Sequence, residues 1–221
     1  MKECNNNDLI NGIMVQLPLP KHINETLILE LIDPNKDVDG FNSKNVNLFN
    51  KNYQTYPPKS PLLSYSKDDI YYFKSCTPLG IVTLLALENI CLIEKLVVIV
   101  GSGNVGKPLS MMLINYGATV TLCNSKTNCN NLKNIVKKSD IVVVCSGKYD
   151  IVDPKWFKKD SVIIDVGIQF INNKLTGELD REKLNKTNVL ATLVPGGVGP
   201  MTVAMLMTNL ILAWHFQNKS N

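Results

Sequence analysis

The stretch Leu96-Val97-Val98-Ile99-Val100-Gly101-Ser102-Gly103-Asn104-Val105-Gly106 joins an apolar run directly to a glycine-rich turn. The run has the length and β-branched composition of a buried strand, and the residues after it predict a helix over about 105–115. In such a turn the first glycine allows a tight bend, the second lets the backbone approach a pyrophosphate, and the third permits close helix–strand packing. Gly101, Gly103 and Gly106 occupy these places, so the stretch predicts a dinucleotide site. The alternative is a glycine turn that serves packing alone.

Downstream of this turn, apolar runs of strand length alternate with segments of helical length. This alternation predicts an α/β fold with a Rossmann-like, doubly wound parallel sheet. A helix at about 78–89, with Thr77 as N-cap and Pro78 at the first helical position, precedes the alternating region. The pattern predicts strands at 96–100, 119–122, 141–144, 162–165 and 189–190, a helix at 131–138, and a hairpin over 169–180 that turns at Asn172-Asn173.

Before residue 78 the pattern is weaker. Residues 12–17 predict a short buried strand that stops at Pro18, and Asn24 predicts the N-cap of a helix that ends near residue 32. Residues 42–74 are rich in Asn, Lys, Tyr, Ser and Pro, which is typical of a loop or an insertion.

The composition narrows the function classes. The chain has 221 residues, of which 45% are hydrophobic and 19% charged, and no run reaches the ~18 apolar residues needed to span a bilayer. The net charge of +4 is scattered, which disfavours a nucleic-acid partner and suits a small anionic ligand. The six cysteines form no C-x-x-C pair, which indicates a reducing compartment with neither metal nor disulfides.

The end of the second strand predicts which dinucleotide binds. An acidic residue there would hold the ribose 2′-hydroxyl of NAD, whereas cationic or hydroxyl groups would accept the 2′-phosphate of NADP. The segment is Cys123-Asn124-Ser125-Lys126-Thr127, which has no acid. Ser125 and Lys126 therefore favour NADP, with NAD left open. The alternative for Lys126 is an ordinary solvated lysine.

Three further segments carry a specific resemblance. They are Val15-Gln16-Leu17-Pro18-Leu19-Pro20, the run Asp33-Pro34-Asn35-Lys36-Asp37-Val38-Asp39-Gly40-Phe41, and Pro195-Gly196-Gly197-Val198-Gly199-Pro200-Met201-Thr202. Together they closely resemble the methylenetetrahydrofolate dehydrogenase/cyclohydrolase family. Cys76-Thr77-Pro78-Leu79-Gly80 and Asp165-Val166-Gly167-Ile168 match the same family in the same order.

The resemblance implies a two-step enzyme of one-carbon metabolism. It would oxidise 5,10-methylenetetrahydrofolate with NADP to the methenyl form and hydrolyse that to 10-formyltetrahydrofolate. It implies a second, smaller α/β domain at 1–77 with the insertion near 42–74, a Rossmann domain at 78–200, and a last helix at 201–221 that packs back on the first domain. It also implies a homodimer and a cytoplasmic location, or a mitochondrial one if the true N-terminus lies upstream.

Site residues carry over from the matching positions, with no metal ligand among them. The match assigns catalytic roles to Gln16 and Asp39. A carboxylate suits a pterin, whose amino group and ring N–H are paired donors; the alternative for Asp39 is a loop residue that caps the turn at Gly40. The implied folate-binding residues are Val15, Leu17, Pro195, Gly196, Gly197, Val198 and Gly199, and the implied cofactor-binding residues are Gly101, Ser102, Gly103, Gly106, Ser125, Lys126 and Ile168.

One family motif is missing. The family's Tyr-x-x-x-Lys segment, whose lysine assists the water-adding step, lies well before the position of Gln16, and these 221 residues contain no such segment. We expect weak or absent cyclohydrolase activity for that reason. A truncated reading of a longer protein explains the gap better than a shortened relative that has lost catalysis, since the folate-side segments still match. The competing hypotheses are a non-catalytic dinucleotide-binding module and a Rossmann dehydrogenase of the shikimate or amino-acid type.

Overall fold

One parallel sheet of five strands organises the molecule. The computed structural model describes residues 1–51, 72–171 and 173–218. The strands are β1 (Leu96–Val100), β2 (Thr119–Cys123), β3 (Ile141–Val144), β4 (Val162–Asp165), β5 (Gln169–Ile171), β6 (Lys174–Thr176) and β7 (Leu190–Ala191). The parallel sheet has the order β2-β1-β3-β4-β7, and β5 and β6 form a separate antiparallel pair.

Helices cover both faces of this sheet. The helices of the described residues are α1 (Lys2–Asn5), α2 (Glu25–Glu30), α3 (Ser43–Lys51), α4 (Cys76–Leu87), α5 (Gly106–Asn115), α6 (Cys129–Val136), α7 (Arg181–Leu184) and α8 (Val198–Asn218), with a short 3₁₀ helix at Pro154–Trp156. On one face Ile81 and Leu109 from α4 and α5 pack on Ile99. On the other face Leu132 of α6 packs on Val98. The predicted doubly wound α/β fold is confirmed.

The nucleotide-side elements follow the sequence pattern closely. Strands β1, β3 and β4 have the predicted bounds, and the hairpin predicted over 169–180 is present as β5 and β6. Two helix starts were predicted too late. Helix α4 begins at Cys76 because Leu79 N–H donates to the Ser75 carbonyl, so Thr77 is not the N-cap. Helix α6 begins at Cys129 because the Asn128 side chain accepts from Asn131 N–H.

The N-terminal region departs further from expectation. The Asn24 cap of α2 is confirmed, since its side chain accepts from Leu27 N–H. The strand predicted at 12–17 is wrong, because only Ile13 pairs, in a single parallel bridge with Asp37. Part of the predicted loop at 42–74 is helix α3, in which Phe49 packs into the main core. The remainder of that prediction, at 52–71, lies outside the described residues.

Helix α8 packs against both the N-terminal region and α4. It begins at Val198, three residues before the predicted start. It crosses α4 where Gly80 lacks a side chain, because a Cβ there would lie 3.1 Å from the Met201 backbone. Thr202 Oγ1 also donates to Thr77 Oγ1 at 3.2 Å. By length and hydropathy alone α8 would be long enough and apolar enough to span a membrane. One of its sides packs inside the protein, and the absence of a membrane partner stays a prediction.

Candidate active site

The glycine turn after β1 combines tight packing with open backbone. Gly101 has φ +128°, which side-chain-bearing residues rarely adopt, and a Cβ there would overlap the backbone of Cys145. A Cβ on Gly106 would overlap the Gly101 carbonyl. Nothing lies within 4 Å of the Cβ position at Gly103. Two of the three glycines therefore serve packing, and the third leaves the backbone accessible to a ligand.

The start of α5 has the donors that a phosphate group needs. The preceding residue, Val105, makes no side-chain cap, so no side chain of the N-cap competes for the first-turn N–H groups. Such groups at a helix N-terminus attract anions, both as hydrogen-bond donors and through the helix dipole.

A crevice of about 240 Å³ opens beside this turn, at the carboxyl ends of β1, β2 and β3. The chain places β2 on one side of β1 and β3 on the other, and a parallel sheet binds ligands at such a switch point. The lining includes Gly101, Ser102, Asn124, Ser125, Thr127, Ser146 and Lys148. Hydroxyls and a lysine therefore line the same crevice.

The predicted cofactor residues divide into four groups. Gly101, Ser102 and Ser125 line the crevice, whereas Gly103 lines a separate cavity of about 280 Å³. Gly106 packs inside the turn. Lys126 is exposed and holds the loop through its N–H to Asn124 Oδ1, and Ile168 is exposed beyond the end of β4. These roles stay predictions.

Sequence inspection missed Thr127, Ser146 and Lys148 of this lining. Ser146 and Lys148 follow β3 directly, and Thr127 follows β2. The signal was available, because residues after the carboxyl ends of neighbouring parallel strands meet at one edge of the sheet.

On the predicted folate side, the structure separates two neighbouring aspartates. Asp37 is buried, and its carboxylate accepts hydrogen bonds from the N–H groups of Gly40 and Asn42 and from Asn45 Nδ2. The turn-capping role that we considered for Asp39 therefore belongs to Asp37. Asp39 itself is partly exposed, so its carboxylate can contact a ligand.

Burial and a thiol set the chemistry of Asp39. Loss of solvent raises the pKa of its carboxyl, hydrogen bonding from the adjacent Cys76 partly offsets this, and the charge of Asp37 adds to the rise. The Cys76 thiol also donates to the Val38 carbonyl at 3.3 Å. The pKa of the Cys76 thiol is itself raised strongly by burial and by Asp39, so Cys76 stays a protonated donor. The Asp39 carboxylate is therefore a hydrogen-bond acceptor whose pKa lies above the ordinary value for Asp.

Gln16 and Asp39 follow the two residues of one parallel bridge, Ile13 and Asp37, by three and two positions. The bridge between Ile13 and Asp37 is parallel, so the chain runs the same way from Ile13 toward Gln16 and from Asp37 toward Asp39. Gln16 is exposed, and its Nε2 donates to the Leu17 carbonyl at 3.0 Å. Val15 and Leu17 are half-buried beside it.

The glycine-rich segment before α8 lies at the other edge of the sheet. Gly196 and Gly197 line a cavity of about 210 Å³ together with residues of β4, β7 and α4. Val198 is buried in the main core, so only its backbone could face a ligand, whereas Pro195 and Gly199 are exposed. The folate-binding roles of these five residues stay predictions.

The cavity of about 280 Å³ that Gly103 lines lies between the two halves of the molecule. Gly40 and Phe41 line it from the Asp39 loop, and Gly103 and Lys107 line it from the start of α5. Nearby, Asn104 Nδ2 donates to Glu25 Oε1 at 2.7 Å and links the glycine turn to α2. The nucleotide turn and the loop of Asp39 therefore face one shared space.

Lys74 also lines this cavity and is only 7% exposed. Burial lowers the pKa of its ammonium group to about 8. Its Nζ lies 6.0 Å from the centre of the Phe49 ring, within the range of a cation–π contact. Lys74 thus brings a titratable cation to the junction between the two halves.

Comparison with known sequences matches both halves to one family. The sequence model described as the tetrahydrofolate dehydrogenase/cyclohydrolase NAD(P)-binding domain covers residues 75–218. The model of the catalytic domain of the same family covers residues 1–39. The bifunctional protein FolD of Ruthia magnifica is 42% identical over 215 residues, which is 96% of this chain and 71% of that protein.

Solved structures agree with this result. The bifunctional methylenetetrahydrofolate dehydrogenase/cyclohydrolase of Campylobacter jejuni superposes with a TM-score of 0.82 at 37% identity, covering 99% of this chain and 71% of that one. The Trypanosoma brucei dehydrogenase-cyclohydrolase, solved with NADP and an inhibitor, gives a TM-score of 0.82 at 30% identity, covering 100% and 71% of the two chains.

Proposed function

This chain belongs to the tetrahydrofolate dehydrogenase/cyclohydrolase family, and on that premise we propose that it is the bifunctional enzyme of one-carbon metabolism. It oxidises 5,10-methylenetetrahydrofolate to the 5,10-methenyl form with NADP and hydrolyses the product to 10-formyltetrahydrofolate. This interpretation is favoured over a non-catalytic nucleotide module, because the similarity to bifunctional relatives extends through the folate-side segments as well.

The observation that carries the proposal is the juxtaposition of the two halves. Asp37, and not Asp39, caps the turn at Gly40. The loop that carries Asp39 faces the glycine turn across the shared cavity. A dehydrogenase needs this arrangement, since hydride transfer requires the two reacting rings in contact in a space from which water is excluded.

The nucleotide crevice fits NADP. The backbone is open at Gly103, the start of α5 offers N–H groups to phosphates, and the β2 end supplies the hydroxyls of Ser125 and Thr127 in place of an acidic residue. Lys148 adds a cation to the same lining. When bound, the nicotinamide supplies the hydride acceptor.

The residues of this chain then have mainly to position the substrate. Removing a hydride from a carbon between two nitrogens leaves a cation that those nitrogens stabilise, so the step needs alignment more than acid–base catalysis. We assign to Asp39, a partly exposed carboxylate, the acceptance of the paired pterin donors. We assign to Gln16, on the adjacent segment, a polar contact near the one-carbon centre.

A direct assay tests the proposal. The protein is incubated with 5,10-methylenetetrahydrofolate and NADP, or NAD as the comparison, and the methenyl absorbance is followed. We expect product with NADP at a higher kcat/KM than with NAD. Calorimetry with each ligand separates the alternative, because a nucleotide module would bind NADP and no folate. Absence of product together with absence of folate binding would refute the enzyme assignment.

Assembly and location are also proposals. The resemblance supports a homodimer, and edge strand β2 offers an exposed face that includes Leu122. Sedimentation equilibrium would give one protomer mass if this is wrong. A cytoplasmic location is supported by bacterial relatives such as those of Ruthia magnifica and Campylobacter jejuni. Fractionation of the source cell tests it, and the mitochondrial alternative has no support among these observations.

A further inference from the structure

The loop that follows β3 forms one wall of the cofactor crevice. Ser146 and Lys148 line the crevice opposite Gly101 and Ser102. The two walls touch, since a Cβ on Gly101 would overlap the backbone of Cys145, and the Cys145 thiol donates to the Gly101 carbonyl at 3.6 Å. The position of the β3 loop therefore sets the width of the crevice.

A single buried side chain holds this loop. Glu178 is 1% exposed. Its Oε2 accepts from Ser146 N–H at 2.8 Å and from Ser146 Oγ at 2.6 Å, and its Oε1 accepts from Gly147 N–H at 2.9 Å. The Glu178 carbonyl also accepts from Asp150 N–H at 2.7 Å. The loop is thus wrapped around a residue some thirty positions further along the chain.

A second carboxylate fixes Glu178 to the sheet. Asp165, the last residue of β4, accepts from the N–H groups of Glu178 at 2.9 Å and Leu179 at 3.1 Å. Two glycines leave the room for this pairing. A Cβ on Gly167 would overlap the Glu178 side chain, and a Cβ on Gly177 would overlap the Asp165 carboxylate. Rigid contacts therefore run from β4 through Asp165 and Glu178 to the crevice wall.

The arrangement requires a carboxylate. Three donors converge on two oxygens, and an ionised carboxylate accepts all of them in strong, charge-assisted bonds. A glutamine of nearly equal size has one acceptor oxygen and would turn an NH₂ group against N–H or O–H donors. Asp180, two residues away, provides a contrast: it caps α7 by accepting from Glu182 and Lys183 N–H, pairs with the Lys183 ammonium at 3.3 Å, and is not among the residues that line the crevice.

We propose that Glu178 is a positioning residue for the dinucleotide: its carboxylate holds the Ser146–Gly147 backbone so that the β3 wall is preformed before the cofactor binds. The proposal rests on the proposed function only in taking NADP as the ligand of the crevice. It differs from a purely structural role because the loss should fall on nucleotide affinity and on one loop, and not on the whole fold.

The test compares Glu178→Gln with Asp180→Asn in the full chain. For Glu178→Gln we expect the Kd and KM of NADP to rise about tenfold or more, with kcat and the KM of the folate changed by less than about threefold, because binding must now order the loop. In the ligand-free protein, amide exchange at Gly147 and Lys148 should accelerate while that of β1 does not. Asp180→Asn should leave NADP affinity within about twofold of wild type.

Two results would overturn the proposal. One is an NADP Kd for Glu178→Gln within about twofold of wild type, and the other is an equal loss in Asp180→Asn, which would indicate general destabilisation. If Glu178→Gln does not fold, Glu178→Asp decides: its shorter carboxylate should weaken NADP binding about threefold or more and speed exchange of the loop amides, and unchanged values would refute the role. Wild-type protein that binds NADP without turnover would count against the proposed function alone, since the binding and exchange comparisons still decide the role of Glu178.

Discussion

Asp37 and Asp39 are close in sequence, but their surroundings give one carboxylate a structural role and leave the other able to contact a ligand. Asp37 accepts three hydrogen bonds and has no exposed surface, whereas Asp39 keeps partial exposure. Two acids in one short segment therefore have different tasks. Substitution of Asp37 should therefore affect stability, whereas substitution of Asp39 should affect folate binding.

Asp39→Asn should lower kcat/KM for the folate by about 10-fold to 100-fold without changing the Kd of NADP, because the amide cannot accept the paired pterin donors. Steady-state kinetics with calorimetry measures both. The matched variant Asp37→Asn should instead lower the melting temperature, since it places an NH₂ group among buried donors. Unchanged folate kinetics in Asp39→Asn would remove Asp39 from the site.

The pH profile offers a second test of Asp39. Burial raises the pKa of its carboxyl, and the ionised form is the one that accepts the pterin donors. Activity should therefore fall with decreasing pH through an acid limb that lies above the ordinary Asp range, and Asp39→Asn should lack that limb. The dependence of kcat/KM on pH is the measurement. An acid limb that persists in the variant would assign the titration to another group.

Lys74 should make stability depend on pH in the alkaline range. Its pKa falls from 10.5 to about 8 on folding, so the unfolded chain holds more protons than the folded one between these values, and stability rises with pH there. Below about pH 8 the buried charge costs about 3 kcal/mol. The free energy of unfolding of Lys74→Met, taken relative to wild type, should decrease from pH 8 toward pH 10, measured by urea unfolding. A constant difference would exclude this cause.

At the scale of elements, α8 decides how the two halves meet. Asn209 is 3% exposed, and its Nδ2 donates to the Val38 carbonyl at 2.8 Å and to the Lys74 carbonyl at 3.0 Å. One side chain of the last helix thereby holds the loop before Asp39 and the segment before α4. Two residues further along the helix, Ile211 is 62% exposed.

These two positions form a matched pair. Asn209→Leu should lower the free energy of unfolding by about 2 kcal/mol, because the Lys74 carbonyl loses the Asn209 donor and the Val38 carbonyl keeps only the Cys76 thiol. Ile211→Lys should change it by less than about 0.5 kcal/mol, because the side chain is already largely solvated. Urea unfolding of both variants measures the difference. Equal effects would mean that α8 contributes through general packing and not through Asn209.

At the scale of the whole molecule, ligand binding should stabilise both halves together. The crevice, the shared cavity and the Asn104–Glu25 hydrogen bond connect the nucleotide turn to the N-terminal region. At a concentration of about 100 times its Kd, NADP should stabilise the native state by about 2.7 kcal/mol. A single thermal transition that shifts upward with NADP is expected. Two separate transitions, with only one shifted, would show that the halves unfold independently.

The sequence by itself determined the parallel sheet, the dinucleotide turn and the family. Apolar runs such as Ile141–Val144 are buried on both faces of the sheet, so they can be recognised from consecutive residues. The spacing of the glycines reflects backbone sterics and can be recognised in the same way. Position-specific segments such as those around Gln16 and Asp39 carried the family resemblance in the same local way.

Only the tertiary structure decided which aspartate caps the Asp39 loop, that residues 12–17 form a single bridge, and that Glu178 holds the cofactor wall. The physical reason is that each of these depends on partners distant in the chain. A strand forms only where a second strand pairs with it, and a carboxylate binds the N–H and O–H donors that folding places beside it. Local pattern cannot specify those partners, because they become neighbours only when the core closes.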